Sequence, residues 1–371
     1  MRITGAKVFD ARKGFEERDL YVEHDKIVAH SDGGPTVDAA GCYVIPGLTD
    51  LHFHGCMGED FSDGNADGFQ KMADYELSRG VTQICPAGMT LTEEQLTLIC
   101  TMAANHKKAG KGGADLVGIN LEGPFLSMEK KGAQNGDWLQ APSVTLLRKL
   151  EKVSGGLVKL VSIAPELPGA MDFIKEVHEE VVVSVAHTTA DYDKAKEAFD
   201  NGAREITHLF NAMPPFNHRA PGVIGAGADD PHAMAEIISD GIHIHPSVIR
   251  AAFKMFGKDR MILISDTMRA AGMSDGDYTL GGQAVKVKGR LATLLDGTIA
   301  GSATDLMACL KTCVSFGIPL ETAVTAAAVN PARVLGLTDV GALDVGKTAN
   351  IAILDSDLNL KQVVFHGELQ E

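Results

Sequence analysis

Eight short apolar runs recur along this chain, and amphipathic helical patterns separate most of them. The runs are GLTDLHFHG from Gly47, VTQICPAG from Val81, LVGINLEG from Leu116, VKLVSIAPE from Val158, VVVSVAHTT from Val181, REITHLFNA from Arg204, AEIISDGIHIH from Ala235 and MILISDTM from Met261. Between them lie helical patterns such as ADGFQKMADYELSRG, LTEEQLTLICTMAANHKKAG and DYDKAKEAFDNGA. Strands rich in Val and Ile and apolar on both faces suit a parallel sheet covered by helices. Eight such units predict an α/β fold of the (β/α)8, TIM-like barrel type.

The ends of the chain have a different texture. ITGAKVFD, DLYVEHDKIVAH and CYVIPG read as short strands broken by Arg12-Lys13-Gly14 and Asp32-Gly33-Gly34, and the tail repeats the style in ANIAILD and LKQVVFHG. These segments predict a small β-sandwich domain built from both termini, residues 1–45 and 345–371, flanking a barrel of residues 46–344. The segment 277–298 reads as an inserted hairpin that joins the terminal strands.

Composition narrows the partners. A formal net charge of −15 argues against a nucleic-acid footprint. No apolar run approaches the ~20 residues of a membrane span, and no leader-like segment opens the chain, so no membrane partner is expected. The six cysteines are dispersed, with no C-x-x-C pair, as expected of reduced thiols in a cytoplasm.

In a barrel of this kind the chemistry gathers at the C-terminal ends of the strands. The first run carries His52 and His54, and alternate residues of an extended segment point the same way, so both imidazoles aim at one place. The third run ends in Glu122, the fifth in His187, the sixth in His208, the seventh reaches His243, and the eighth ends in Asp266. Each of these polar groups closes an apolar strand where packing alone would favour another Val or Ile. Imidazoles with a carboxylate make a ligand set suited to zinc or ferrous iron. Asp266 is then a candidate general acid/base, and the whole points to metal-assisted hydrolysis.

The segments PGLTDLHFHG, LEGPFLSMEKKGAQN, AHTTADYDKA, THLFNAMPPFNHRAPG, ISDGIHIHP, ISDTMRAAG, DGTIAGS and NPARVLGL…GALDVGKTANIAILD span nearly the whole chain. In that order they resemble the amidohydrolase superfamily and, within it, its amino-sugar-phosphate deacetylase branch. LEGPF, HLFNAMPP, HRAPG and DGIH carry the resemblance to the branch; the H-x-H and the tail are shared more widely.

The resemblance implies hydrolysis of the acetamide of N-acetylglucosamine 6-phosphate to glucosamine 6-phosphate and acetate. N-acetylgalactosamine 6-phosphate is the alternative substrate, and a non-catalytic sugar-phosphate-binding protein the alternative class. Such a protein should have lost Asp266 or a ligand, and neither is missing. The resemblance further implies a divalent metal, one or two ions per chain, zinc or iron. Glu122, His187 and His208 would hold the main ion, and His52 and His54 a second one bridged by Glu122. Asp266 would be the catalytic carboxylate. His243 would bind the sugar or polarise the acetyl carbonyl, Asn211, Ala212 and Arg219 would hold the phosphate, and Ala133 would approach the sugar through its backbone. A homodimer is implied, with Arg219 or its neighbours reaching the partner's phosphate site. A cyclic-amide hydrolase would use a carboxylated lysine closing strand four, but Lys159 lies at the wrong end of that strand. Two departures stand out. Many relatives read KKGAH where this chain has Gln134, and Ala303-Thr304-Asp305-Leu306-Met307 departs from the usual x-Leu-x-Met after AGS, in a loop expected to face the sugar and acetyl group.

Overall fold

The computed structural model describes residues 1–370. Each apolar run holds a strand: β1 Leu48–Asp50, β2 Val81–Ile84, β3 Ile119–Phe125, β4 Val158–Ile163, β5 Val182–Val185, β6 Glu205–Ile206, β7 Met234–Ile238 and β8 Met261–Ile264. All pair parallel, β1 with β2 and then β3 through β8 in chain order. Short stretches bridge β2 to β3: Asp115–Leu116 pairs with β2, and Ala87–Gly88 pairs with β3. Beyond β8 the chain turns back to β1. Asp266 donates its backbone N–H to His52 (2.9 Å), and His54 donates to Thr267 (2.7 Å). The curled parallel sheet therefore brings its first and last strand ends together at the histidine pair.

The helices start where local chemistry allows. Asn65 caps Ala66–Ser78, Asp191 caps Tyr192–Asp200, and Thr92 with Gln95 forms a reciprocal capping box on Glu93–Ala109. Each cap satisfies N–H groups that the helix leaves unpaired, worth ~1 kcal/mol apiece. The strands are buried on both faces, as expected of a sheet covered by helices.

Both termini contribute to one eight-stranded mixed sheet. Tyr43–Pro46 pairs antiparallel with Ile351–Leu354, which ties the tail to the segment that feeds directly into β1. The inserted segment differs from expectation. Gly276–Leu280, Gln283–Lys288 and Leu291–Leu294 form a three-stranded antiparallel sheet that, among the described residues, pairs with no terminal strand. Its neighbour is the loop after β3, where the Gln283 amide donates to the carbonyl of Ala133. That bond draws the sheet toward the strand ends.

One buried group works against stability. Glu76, on the inner face of helix Ala66–Ser78, is fully buried, and neither carboxylate oxygen has a partner. Burial first, and then the nearby Asp50 and Asp305, push its pKa well above the ordinary 4.5 despite Arg79. The folded chain thus keeps a proton that the unfolded chain releases above pH ~4.5, so stability falls as pH rises from there, by up to about 1.4 kcal/mol per pH unit. Glu76→Gln should be more stable than the parent at pH 8, with the difference shrinking toward pH 5. Urea unfolding at the two pH values measures this, and an equal effect at both would show that Glu76 ionises in the folded state.

Candidate active site

Strand periodicity places the polar groups. His52, His187, His208 and Asp266 each stand two residues beyond the last residue of β1, β5, β6 and β8, His54 stands four beyond β1, and Glu122 lies within β3. His187, His208 and Asp266 adopt left-handed backbone conformations, with φ of 42°, 28° and 48°. A side chain there costs about 1–3 kcal/mol unless the surroundings hold it. Backbone bonds do so: Ser127 donates to His187, Asn211 to His208 and Ser302 to Asp266.

The side chains converge in two groups. Glu122 Oε1 lies 3.0 Å from Nε2 of His187 and 3.0 Å from Nε2 of His208, and the two nitrogens are 3.1 Å apart. His54 Nε2 lies 3.3 Å from Asp266 Oδ1 and 3.3 Å from Glu122 Oε2, and His52 Nε2 is 3.5 Å from Glu122 Oε1 and 3.8 Å from Asp266 Oδ1. Glu122 therefore faces both groups, with Oε1 near His187, His208 and His52 and Oε2 near His54. All six side chains are buried or nearly so.

Hydrogen bonding on the far side of each ring decides what these nitrogens are. His187 Nδ1 donates to the Lys130 carbonyl (2.8 Å), His54 Nδ1 to the Ala87 carbonyl (3.1 Å), and His52 Nδ1 to Glu236 Oε2 (2.9 Å). In the neutral rings each Nε2 then carries a bare lone pair aimed at a carboxylate oxygen. Acceptors facing acceptors repel, so the cluster needs positive charge among them. Protons on the imidazoles are one source. Burial disfavours charge on His54, yet hydrogen bonds to Asp266 and Glu122 outweigh it and lift its pKa to about 10. Burial likewise opposes charging His52 and His208, but Glu236 and Glu122 raise the first well above its ordinary value, and Glu122 raises the second. The carboxyls of Glu122 and Asp266 go the other way, held low by the imidazoles against the effect of burial. A divalent metal is the other source, and the donors fit one. Edges of 3.0–3.1 Å among Glu122, His187 and His208 are close to the roughly 3.3 Å edge of a tetrahedron with bonds of about 2.0–2.1 Å. His52 Nε2 is buried without any hydrogen-bond partner.

A cavity of about 550 Å³ opens over these groups, lined among others by His54, Glu122, His187, His208 and Asp266. His243, Asn211, Ala212 and Ala133 line the same cavity. Asp240 Oδ2 accepts from His243 Nδ1 at 2.7 Å, which leaves Nε2 as the free ring nitrogen. Arg219 does not join them: it is exposed on the loop after β6, outside the cavity of its own chain. The segment 303–307 also departs from expectation and does not line the cavity. Asp305 instead caps helix Leu306–Ser315 through Ala308 N (2.8 Å) and pairs with Arg79 (2.9 Å), which turns it away. Gln134 binds the shared carboxylate: its Nε2 donates to Glu122 Oε2 (2.6 Å) while Oε1 accepts from Thr90 N (2.7 Å).

Sequence reasoning missed Glu236, Asp240, the Lys130 carbonyl, and the roof of Leu280, Thr298 and Ile299 supplied by the inserted sheet and the residues after it. A lone acid in the apolar run AEII was a visible signal for Glu236. Main-chain acceptors such as Lys130 leave no mark in a sequence.

Known proteins resemble this chain along most of its length. The Amidohydrolase family model matches residues 43–369. N-acetylglucosamine-6-phosphate deacetylase of Bacillus subtilis (strain 168) is 36% identical over 336 residues, covering 89% of this chain and 85% of the relative. N-acetylgalactosamine-6-phosphate deacetylase of Escherichia coli O157:H7 is 34% identical over 329 residues, covering 88% and 87%. A mutant N-acetyl-D-glucosamine-6-phosphate deacetylase from Mycobacterium smegmatis, solved in complex with N-acetyl-D-glucosamine-6-phosphate, superposes with a TM-score of 0.92 at 34% identity, covering 100% and 98%. With its strand ends, its two donor groups and this likeness along nearly its whole length, the chain belongs to the amidohydrolase family, in the N-acetylglucosamine-6-phosphate deacetylase branch.

Proposed function

We propose that this chain hydrolyses the acetamide of N-acetylglucosamine 6-phosphate, releasing acetate and glucosamine 6-phosphate. The observation that carries the reading is the convergence of Asp266, His243 and two histidine–carboxylate groups on one cavity, in a chain so similar to a relative solved with that sugar phosphate. Residues 46–344 are taken as a (β/α)8 catalytic barrel, and residues 1–45 with 345–371 as a small β domain. A second reading, the galactosamine epimer, is favoured by one relative of comparable identity.

Glu122, His187 and His208 would hold one divalent ion, zinc or ferrous iron, and His52 and His54 a second beside Glu122 and Asp266; such ions polarise a carbonyl and acidify water. Asp266 accepts the proton of the attacking water and hands it to the amide nitrogen as the C–N bond breaks. An amine leaves only when protonated, so this transfer matters as much as the attack. His243, oriented by Asp240 through Nδ1–H, presents Nε2 to the substrate: in the neutral ring it accepts from a sugar hydroxyl, and with both ring nitrogens protonated it polarises the acetamide oxygen as negative charge develops there. Ala212 offers its backbone N–H to the phosphate and Ala133 its backbone to the sugar; Asn211, whose own N–H is held by the His208 carbonyl, would join the phosphate site on giving up that bond.

Because Arg219 lies outside its own cavity, its guanidinium would serve the phosphate site of a second copy in a homodimer. The planar fork suits two phosphate oxygens at once. A cytoplasmic setting is consistent with six free, buried cysteines. No helix is long and apolar enough to cross a membrane.

Acetate release from N-acetylglucosamine 6-phosphate tests the reading directly. Asp266→Asn should keep the fold and lose turnover by several orders of magnitude, as expected of an acid/base acting with its nucleophile; activity within tenfold of the parent would remove Asp266 from the chemistry. Arg219→Ala should lower kcat/KM for the phosphorylated sugar roughly a hundredfold, the loss of one charge-assisted contact worth ~2–3 kcal/mol. Slow turnover of the unphosphorylated sugar should be nearly unchanged, and equal losses on both would show that Arg219 does not read the phosphate. Replacing His52 by Gln and His54 by Asn together should reduce bound metal from near two ions per chain to near one, with activity lowered but present. Metal analysis after loading with zinc decides this, and one ion in the parent would refute the two-ion reading.

A further inference from the structure

His52 is held differently from the other imidazoles of the site. His54 and His187 give their Nδ1 protons to neutral main-chain carbonyls, and His208 Nδ1 has no partner. His52 gives its proton to the Glu236 carboxylate, which is fully buried inside β7. The same oxygen, Oε2, accepts the backbone N–H of His208 at 3.0 Å, so one atom ties the chain beyond β1 to the chain beyond β6. Among the described residues Glu236 has no Lys or Arg partner; His52 is its one ion-pair contact.

A lone buried carboxylate would be costly unless something held it. Two donors do so at Oε2, His52 Nδ1 and the backbone N–H of His208, while Oε1 has no hydrogen-bond partner. Glu205, on the adjacent strand β6, is also fully buried, and burial first and then Glu236 hold its pKa well above the usual carboxylate range.

We propose that Glu236 is a positioning residue for the second metal ion: it fixes the His52 proton on Nδ1 and so presents the Nε2 lone pair toward Glu122 and Asp266. This rests on the two-ion reading above. A carboxylate behind a ligating histidine fixes its tautomer, orients the ring and raises its basicity, and removing such a partner typically weakens metal binding ten- to a hundredfold. A filler role for Glu236 would predict no change in metal binding once the fold is kept.

Zinc titration of the parent, Glu236→Met and Glu236→Gln tests this, with far-UV circular dichroism and thermal melting to establish the fold. The parent should hold two ions. Glu236→Met should lose most of the second, weakened at least tenfold and more than the first. Glu236→Gln, whose amide oxygen still accepts from Nδ1 but carries no charge, should weaken the second ion about tenfold, and this variant decides the matter if Glu236→Met does not fold. Long-range ¹H–¹⁵N spectra of the zinc-loaded proteins should show His52 protonated at Nδ1 in the parent and in Glu236→Gln, and no longer uniquely so in Glu236→Met. A parent with two ions and folded variants with unchanged second-ion affinity would overturn the role of Glu236 alone. A parent with one ion would overturn the two-ion reading, and this inference with it.

Discussion

The site rests on one electrostatic constraint, the crowding of imidazole lone pairs around the carboxylate of Glu122. His187, His54 and His52 each use Nδ1 as a donor on the far side, so their Nε2 atoms meet Glu122 and Asp266 as acceptors. Such an arrangement is stable only with cationic charge in its midst, from protons or from a metal. The same constraint explains why the side chains are buried: removing water raises the cost of any uncompensated charge and so sharpens the demand for a cation. Glu122 is the hinge of the design because its oxygens together reach both groups, Oε1 facing His187, His208 and His52 and Oε2 facing His54, and Gln134 limits its rotation by binding Oε2.

The fold meets this demand with precision at its strand ends. Three site residues occupy left-handed backbone conformations that favour glycine, yet carry the side chains of His187, His208 and Asp266. Strain of this kind persists where surrounding hydrogen bonds determine the backbone. Here those bonds come from other loops at His187 and Asp266 and from the same loop at His208, and they include the link from Asp266 N to His52 O that joins the end of the sheet to its beginning. The polar interior of the sheet, with Glu205, Glu236 and the Ser184–Thr207 hydrogen bond at 2.6 Å, lies directly behind the ligating rim. Some stability is given up elsewhere for buried acids, as Glu76 shows, since its carboxyl has no partner at all.

The inserted sheet shows how a surface element becomes part of a site. Leu280, Thr298 and Ile299 roof the cavity, and Gln283 fastens the sheet to the Ala133 carbonyl on the loop after β3. That loop also supplies the Lys130 carbonyl to His187 and the Gln134 amide to Glu122. One segment therefore contacts the roof, a histidine and the shared carboxylate, which couples the shape of the cavity to the geometry of the ligands.

The sequence by itself determined the strand periodicity, the eight parallel strands, and the polar residues at the ends of six of them, because burial on two faces and a two-residue alternation leave a direct imprint on residue order. His52, His54, Glu122, His187, His208, His243 and Asp266 were legible for that reason. Only the tertiary structure decided which nitrogen meets which oxygen, that Glu236 and Glu205 stand behind His52, that the inserted sheet covers the cavity, and that Arg219 and the 303–307 segment lie outside it. These depend on contacts between residues as far apart as His52 and Glu236, 184 positions, or Arg79 and Asp305, 226, and on main-chain groups that every residue shares. Local pattern sets the direction in which a side chain points, and only the curling of the sheet sets what it meets there.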